Sequence, residues 1–370
     1  MIDTASTPPL IAFRTDASLE IGTGHVMRCL TLADRLRECG ARTLFISRKH
    51  CGHLFDQIVD RGHEVRVLPP PPNSRTTLDG DTAHAAWLGV EWGVDAEQTQ
   101  QSLAGERPAW LVVDHYAIDC RWERALRSAC ERLMVMDDLA DRPHDCELLL
   151  DPTLGRTHGD YADHLGSEVQ TFLGPQYALL RPEFAASRAE SLARRNAPEL
   201  RHVLITMGGV DKDNATGRVL DAIEASDLPS QMKLTVVMGS QAPWFAKVQD
   251  YARKMRFATH VRVGVTDMAR LMTKSDLAIG AAGGTSWERC CLGLPTIQYV
   301  VAENQLVIAR QLAQIGAATL ADDETIREVL SSLVAQDCST QLAEQSGISS
   351  RVTDGLGAER VANELLGRLQ

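Results

Sequence analysis

The sequence predicts an α/β protein made of two doubly wound parallel-sheet domains facing each other across a cleft. Three observations carry this. Short apolar runs alternate with amphipathic helical patterns through both halves of the chain, as in parallel sheets covered on both faces. In each half the first apolar run leads into a glycine turn, Ile21-Gly22-Thr23-Gly24-His25 and then Met207-Gly208-Gly209. The 370 residues exceed one ordinary α/β core and suit two.

In the first half, strands are expected at 10–14, 43–47, 64–68, 110–114, 133–137 and 147–150, with helices near 25–38, 53–61, 94–104 and 120–131. Pro69 to Pro72, followed by Asn73 and Ser74, form a stiff exposed loop of the kind that borders ligand crevices at a sheet edge. In the second half the strands fall at 202–207, 233–238, 260–263, 277–279 and 296–300, and helices near 213–225, 243–255, 267–274, 285–292 and 304–314. Residues 187–198, polar and carrying Arg188, Arg194 and Arg195, read as an exposed linker helix, and helical patterns near 323–335 and 356–369 close the chain. The expected organisation is a first domain over 1–186, a linker over 187–200, a second domain over 201–340 and a helical tail over 341–370.

With 44% hydrophobic and 24% charged residues, the chain has the composition of an ordered globular protein. Its net charge of −11 provides no electrostatic footprint for nucleic acid or an anionic membrane, though a local cleft for a small anion is compatible with it. No stretch approaches the roughly 20 apolar residues of a membrane span, and the start shows no signal-peptide pattern. The nine cysteines include no C-x-x-C pair, and Cys290 and Cys291 sit in a helical pattern as small core residues. A reduced, cytoplasmic compartment is expected, with a small-molecule partner and a monomeric chain.

Gly22 and Gly24 permit a tight turn and close ligand approach. They leave His25 on the first turn of a helix, where the macrodipole disfavours imidazolium and suits a proton acceptor. The alternative is an ordinary polar first-turn residue. Asp16, a few residues upstream, either orients the imidazole or caps the turn. Asp114-His115-Tyr116 ends a strand, and Tyr116 is either a phosphate-side phenol or a rim residue.

In the second half, Gly283-Gly284-Thr285-Ser286-Trp287-Glu288 repeats the strand, glycine turn, helix order, which suits phosphate binding by backbone amides. Glu288 is placed to reach ribose hydroxyls, or is simply favoured by the helix dipole. Gly208 and Gly209 allow ligand approach, while Asp211 reads as a helix cap. Glu303-Asn304-Gln305 starts a helix, and Asn304 offers both a donor and an acceptor. The D-x-D pairs Asp79-Gly80-Asp81 and Asp211-Lys212-Asp213 read as turn and cap chemistry, and His50, Cys51 and His53 lack remote zinc partners, so no metal site and no cofactor are expected.

Together these segments resemble the UDP-sugar hydrolase family of pseudaminic acid biosynthesis, which releases UDP from UDP-2,4-diacetamido-2,4,6-trideoxy-β-L-altropyranose. The resemblance runs through Arg14-Thr15-Asp16, Ile21 to Arg28, Asp114-His115-Tyr116, Met136 to Arg142, Leu173 to Phe184, Gly283 to Pro295 and Glu303-Asn304-Gln305. It implies a GT-B fold of two Rossmann-like domains, with UDP held mainly by the second. It also implies a catalytic His25, a diphosphate-side Tyr116, a cleft Asn304 and a ribose-binding Glu288. Arg14, Gly22, Gly24, Gly208, Gly209, Gly283, Gly284, Thr285, Ser286 and Gln305 are the further substrate-contact candidates. Leu150-Asp151-Pro152-Thr153 departs from the family's Asp-Gln-Asn, and Gly209-Val210-Asp211 from its Gly-Ser-Asp. The expected chemistry is inverting attack of water on the anomeric carbon with His25 as base. On the same scaffold, an inverting glycosyltransferase would use His25 on an acceptor hydroxyl, and a nucleotide-sugar binding protein would need no such base.

Overall fold

The computed structural model describes residues 7–72, 84–239, 242–301, 305–335 and 338–369. The chain divides into two units, Met1–Leu179 with Gly357–Gln370, and Leu180–Leu356.

In the first unit the strands are β1 (Leu10–Thr15), β2 (Arg42–Arg48), β3 (Glu64–Leu68), β4 (Trp110–Asp114), β5 (Leu133–Met136), β6 (Leu148–Asp151) and β7 (Gln170–Leu173). They pair in parallel in the order β3-β2-β1-β4-β5-β6-β7, so the winding direction reverses between β1 and β4. Helices α1 (Gly24–Glu38), α2 (Phe55–Asp60), α3 (Trp92–Ser102) and α4 (Cys120–Leu126) connect them. Side chains alternate across β1: Ile11 and Phe13 pack with Val26, Leu30 and Ala33 of α1, while Leu10 and Ala12 join Leu44, Ile46 and Trp122 on the other face.

The second unit starts with α5 (Pro182–Arg194), followed by β8 (His202–Thr206), α6 (Ala215–Glu224), β9 (Lys233–Met238), α7 (Phe245–Ala252) and β10 (Ala258–Val263). Then come α8 (Met268–Lys274), β11 (Leu277–Ala281), α9 (Thr285–Cys291), β12 (Thr296–Tyr299), α10 (Leu306–Gln314), β13 (Thr319–Ala321), α11 (Ile326–Ala335) and α12 (Cys338–Ser349). The sheet order is β10-β9-β8-β11-β12-β13, reversing between β8 and β11. Open α/β sheets bind ligands at such reversals, beyond the carboxyl ends of the strands. Cys290 and Cys291 are buried core residues.

Two expectations need correction here. The exposed linker helix is instead α5, packed on its own unit. Arg195 is 4% exposed and donates to the carbonyls of Leu292 (3.1 Å), Ser275 (3.0 Å) and Met272 (3.1 Å). Arg188 donates to the carbonyls of Cys291 and Ser350. These arginines satisfy the unpaired carbonyls that end α8, α9 and α12, which a reading of polarity alone takes for solvent exposure. The single tail over 341–370 is likewise divided. Helix α12 stays with the second unit, and α13 (Gly357–Gly367) joins the first. Val361, Ala362 and Leu365 of α13 enter the cluster of Ile11, Phe13 and Leu30, and Trp110 donates its indole N–H to the Leu365 carbonyl at 3.0 Å. Among the described residues no helix is long and apolar enough to cross a membrane.

Candidate functional site

At the reversal point of the first unit, the loop after β1 is folded by its own backbone. Gly22 donates its N–H to the Ser18 carbonyl at 2.9 Å, and the Ser18 hydroxyl accepts from Ile21 N–H at 2.9 Å. Gly22 has φ +81°, a conformation side chains disfavour, and a Cβ added at Gly24 would meet no atom within 4 Å. The loop therefore delivers His25 onto the first turn of α1 beside open backbone.

The His25 ring is 2.6 Å, through Nδ1, from Oδ1 of Asp114, the last residue of β4 and the register partner of Thr15. Arg28, one turn further along α1, grips the same carboxylate from Nε (2.6 Å) and Nη2 (2.6 Å) and reaches Asp138 Oδ2 at 3.0 Å. Burial alone would raise the Asp114 pKa, but Arg28 and His25 outweigh it and hold the carboxyl well below its ordinary range. An ionised carboxylate only accepts hydrogen bonds, so it assigns the proton to Nδ1 and leaves Nε2 as the basic nitrogen. Tyr116 meets the His25 ring edge-on, with centroids 4.5 Å apart at 87°, and Trp87 (5.8 Å) and His84 (5.3 Å) lie against Tyr116 in turn. Burial pushes the Tyr116 phenol up, so it stays a neutral donor.

Asp16 does not orient the imidazole. Its carboxylate pairs with Arg14 Nη1 at 2.8 Å and accepts from the Arg48 backbone N–H at 2.6 Å and the Ser47 hydroxyl at 3.1 Å. Arg14, expected to touch substrate, is wholly buried and forks onto Asp95 at 3.0 and 2.7 Å. Burial opposes the Arg14 charge, yet Asp16 and Asp95 raise its pKa regardless. Both residues belong to an ionic network in the interior. The carboxylate that does hold His25, Asp114, was in the sequence as the polar end of an apolar strand, but only strand register tells which aspartate faces α1.

In the second unit, glycines occupy the equivalent loops. Gly208, after β8, has φ +93°, and a Cβ at Gly208 or at Gly284, after β11, would meet nothing within 4 Å. A Cβ on Gly239 would collide with the Gly209 carbonyl, so the loops after β8 and β9 meet backbone to backbone. Asp211 caps α6, its carboxylate accepting from the N–H groups of Ala215 (2.8 Å) and Thr216 (3.1 Å). The Gln305 amide lies 4.0 Å from a Cβ built on Gly283, while its Oε1 accepts from Val301 N–H at 3.3 Å. Thr285 Oγ1 accepts from Arg289 at 3.2 Å. Ser286, expected to contact ligand, is 1% exposed, and its hydroxyl is bound inward by Gln298 at 2.6 Å and Arg289 at 3.1 Å. Burial pushes the Glu288 carboxyl up to about 7, against the pull of Arg181, whose guanidinium is 3.8 Å away, and of Arg289. Asn304, Asp79 and Asp81 lie outside the described residues. Among those described, no group of three or more His, Cys, Asp or Glu is placed to share a metal ion.

Residues 202–356 match the model of the glycosyltransferase family 28 C-terminal domain. The chain is 24% identical to the uncharacterized protein MJ1062 of Methanocaldococcus jannaschii, over 80% of this chain and 56% of that protein, and so spans little more than half of that relative. It is also 24% identical to the UDP-2,4-diacetamido-2,4,6-trideoxy-β-L-altropyranose hydrolase of Campylobacter jejuni, over 83% of this chain and 97% of that one. Among solved structures, Acinetobacter baumannii MurG superposes with a TM-score of 0.68 at 14% identity, covering 97% of this chain and all 100% of its own. A UDP-glucosyltransferase from Polygonum tinctorium does so with a TM-score of 0.66 at 13% identity, covering 98% and 100%. The fold is thus of the GT-B type, with two Rossmann-like units. The expectation of a hydrolase is corrected by the domain model and by the titles of solved neighbours. The matched domain model is a glycosyltransferase one, and several solved neighbours are titled as glycosyltransferases.

Proposed function

We propose that this chain is an inverting glycosyltransferase that moves the sugar of a UDP-sugar onto a hydroxyl acceptor. One observation carries the reading: the His25 imidazole, fixed through Nδ1 by an ionised Asp114 at 2.6 Å, presents Nε2 as a base. Nε2 takes the acceptor's hydroxyl proton as that oxygen bonds to the anomeric carbon. The bond from the anomeric carbon to the diphosphate oxygen breaks, and UDP departs with the electron pair. Asp114 offsets the positive charge that develops on the imidazole, as a carboxylate behind a catalytic histidine does. A single displacement inverts configuration. Diphosphate is a good leaving group, and preorganised backbone donors at its oxygens ease departure without a second carboxylic acid. The bare loops at Gly208 and Gly283-Gly284, inside the matched 202–356 region, suit that task. The UDP-sugar donor is supported by the names of the hydrolase and the glucosyltransferase that the chain resembles.

The test is to supply radiolabelled UDP-glucose and UDP-N-acetylglucosamine, with and without a library of glycan, lipid and phenolic alcohols, in ¹⁸O-water. Acceptor-dependent UDP release with label-free, inverted product is expected. Equal UDP release without acceptor, with ¹⁸O on the free sugar, would overturn the reading.

A further inference from the structure

Beneath the Gly283-Gly284 loop lies a guanidinium that the reading above leaves unused. Arg289, on α9, is 1% exposed. Its Nη2 donates to the Ala281 carbonyl at 2.8 Å and to Ser286 Oγ at 3.1 Å, and Nη1 donates to Thr285 Oγ1 at 3.2 Å. These acceptors begin and end the glycine turn, so the cation is clasped by the loop it underlies. The sheet makes room for it: a Cβ on Gly280, in β11, would come 2.6 Å from Arg289 Nη1 and 3.0 Å from the Thr206 carbonyl.

Every acceptor Arg289 has is neutral. Among the described residues no carboxylate forms an ion pair with it, and its buried Nε makes no hydrogen bond. The contrast within the same protein is sharp. Arg14 and Arg48, equally buried, both meet Asp95. Burial lowers the Arg289 pKa to about 10, which leaves it charged at neutral pH, and its neighbour Glu288 is itself pushed up to about 7 and so only partly compensates it. An uncompensated buried charge is strongly unfavourable and is normally removed or paired. Arg195, also buried and bound by carbonyls, lies against the carboxyl ends of α8 and α9, where the helix dipoles supply negative charge, whereas Arg289 is held at the amino end of α9, where they supply none.

We infer that Arg289 is a positioning residue whose buried charge makes the Ala281–Ser286 loop a receptor for a diphosphate anion, acting through the loop without touching the ligand. This rests on the proposed use of the loop for UDP. It would let an acidic protein hold an anion there, the attraction coming from one fixed cation behind bare backbone.

The test compares UDP, uridine and inorganic pyrophosphate binding by calorimetry to the wild-type chain, Arg289→Met, Arg289→Gln and Arg289→Lys. The Gln variant keeps a donor for the Ala281 carbonyl and is read where Met fails to fold. Loss of the charge should weaken UDP and pyrophosphate by on the order of tenfold or more, the effect of a charge several ångströms away at an effective dielectric near 20. Uridine binding should not change, and Lys should retain most of the UDP affinity. Equal weakening of UDP and uridine, or an unchanged UDP-to-uridine ratio in the neutral variants, would overturn the inference. Arg289-dependent pyrophosphate binding in a protein that transfers no sugar would defeat the proposed function alone. A wild-type chain that binds neither anion would defeat both.

Discussion

In the first unit the loops after β1 and β4 gather His25, Arg28, Asp114 and Tyr116 into mutual contact, and each ionisable side chain finds an opposite or complementary partner. In the second, the loops after β8 and β11 present Gly208 and Gly284 with open space where side chains would be, while Ser286 and Arg289 are turned inward. The strand order around the two reversal points is the same, β3-β2-β1-β4-β5 in one sheet and β10-β9-β8-β11-β12 in the other. Topology therefore marks where a ligand goes, and the loop residues decide what is done to it. A crowded, charged loop pair suits proton transfer. A bare one over a hidden cation suits holding an anion.

Removing the base tests that division most severely. His25→Ala should lower turnover by about 10²–10⁴-fold, the usual contribution of a general base, and leave UDP affinity by calorimetry unchanged; a parallel loss of UDP affinity would break the division. Asp114→Asn should lower turnover less, by roughly 10–100-fold as for outer partners of functional histidines. It should also reshape acid stability. The folded Asp114 pKa lies below its ordinary 3.8, so its contribution is complete above that value and is lost as pH falls below it. The variant's unfolding midpoint should then fall less steeply than wild type below about pH 4.

On the other side of the comparison, Gly284→Val puts a side chain into space that is empty in the folded protein. Stability should stay within about 0.5 kcal/mol, as for substitutions that disturb no packing, while UDP affinity falls and turnover at saturating donor changes little. A fully active, tight-binding valine variant would remove this loop from the site. The smallest effect concerns Glu288. Its folded pKa of about 7 exceeds the ordinary 4.5, so ionising it costs stability as pH rises through that range. Glu288→Gln should gain thermal stability relative to wild type between pH 5 and 8, measured by calorimetry of the ligand-free chain.

The sequence made the alternation, both glycine turns and His25 visible, because apolar periodicity and glycine are local signals. The last strand of each sheet was not visible. Gln170–Leu173 and Thr319–Ala321 are short and only partly apolar, and they become strands because a neighbour offers an unpaired edge. The site was half legible for a related reason. Asp16 and Asp114 both follow apolar strands, and proximity in sequence pointed to Asp16. The choice is made by the parallel pairing of β1 with β4, which sets Asp114 beside Thr15 under α1, and by Arg14 and Arg48, which draw Asp16 into the interior. Long-range pairings of this kind leave no pattern within a window of residues.

The docking of α13 has a practical corollary. The indole of Trp110 and the apolar face of α1, the helix that carries His25, are closed over by residues more than 250 positions further along the chain than Trp110. A fragment cut at Leu179 would lose that cover, whereas one in which Gly357–Gly367 is spliced back behind Leu179 would regain it. Clipping the final helix should therefore injure the histidine's half of the molecule and spare the half that precedes it in sequence.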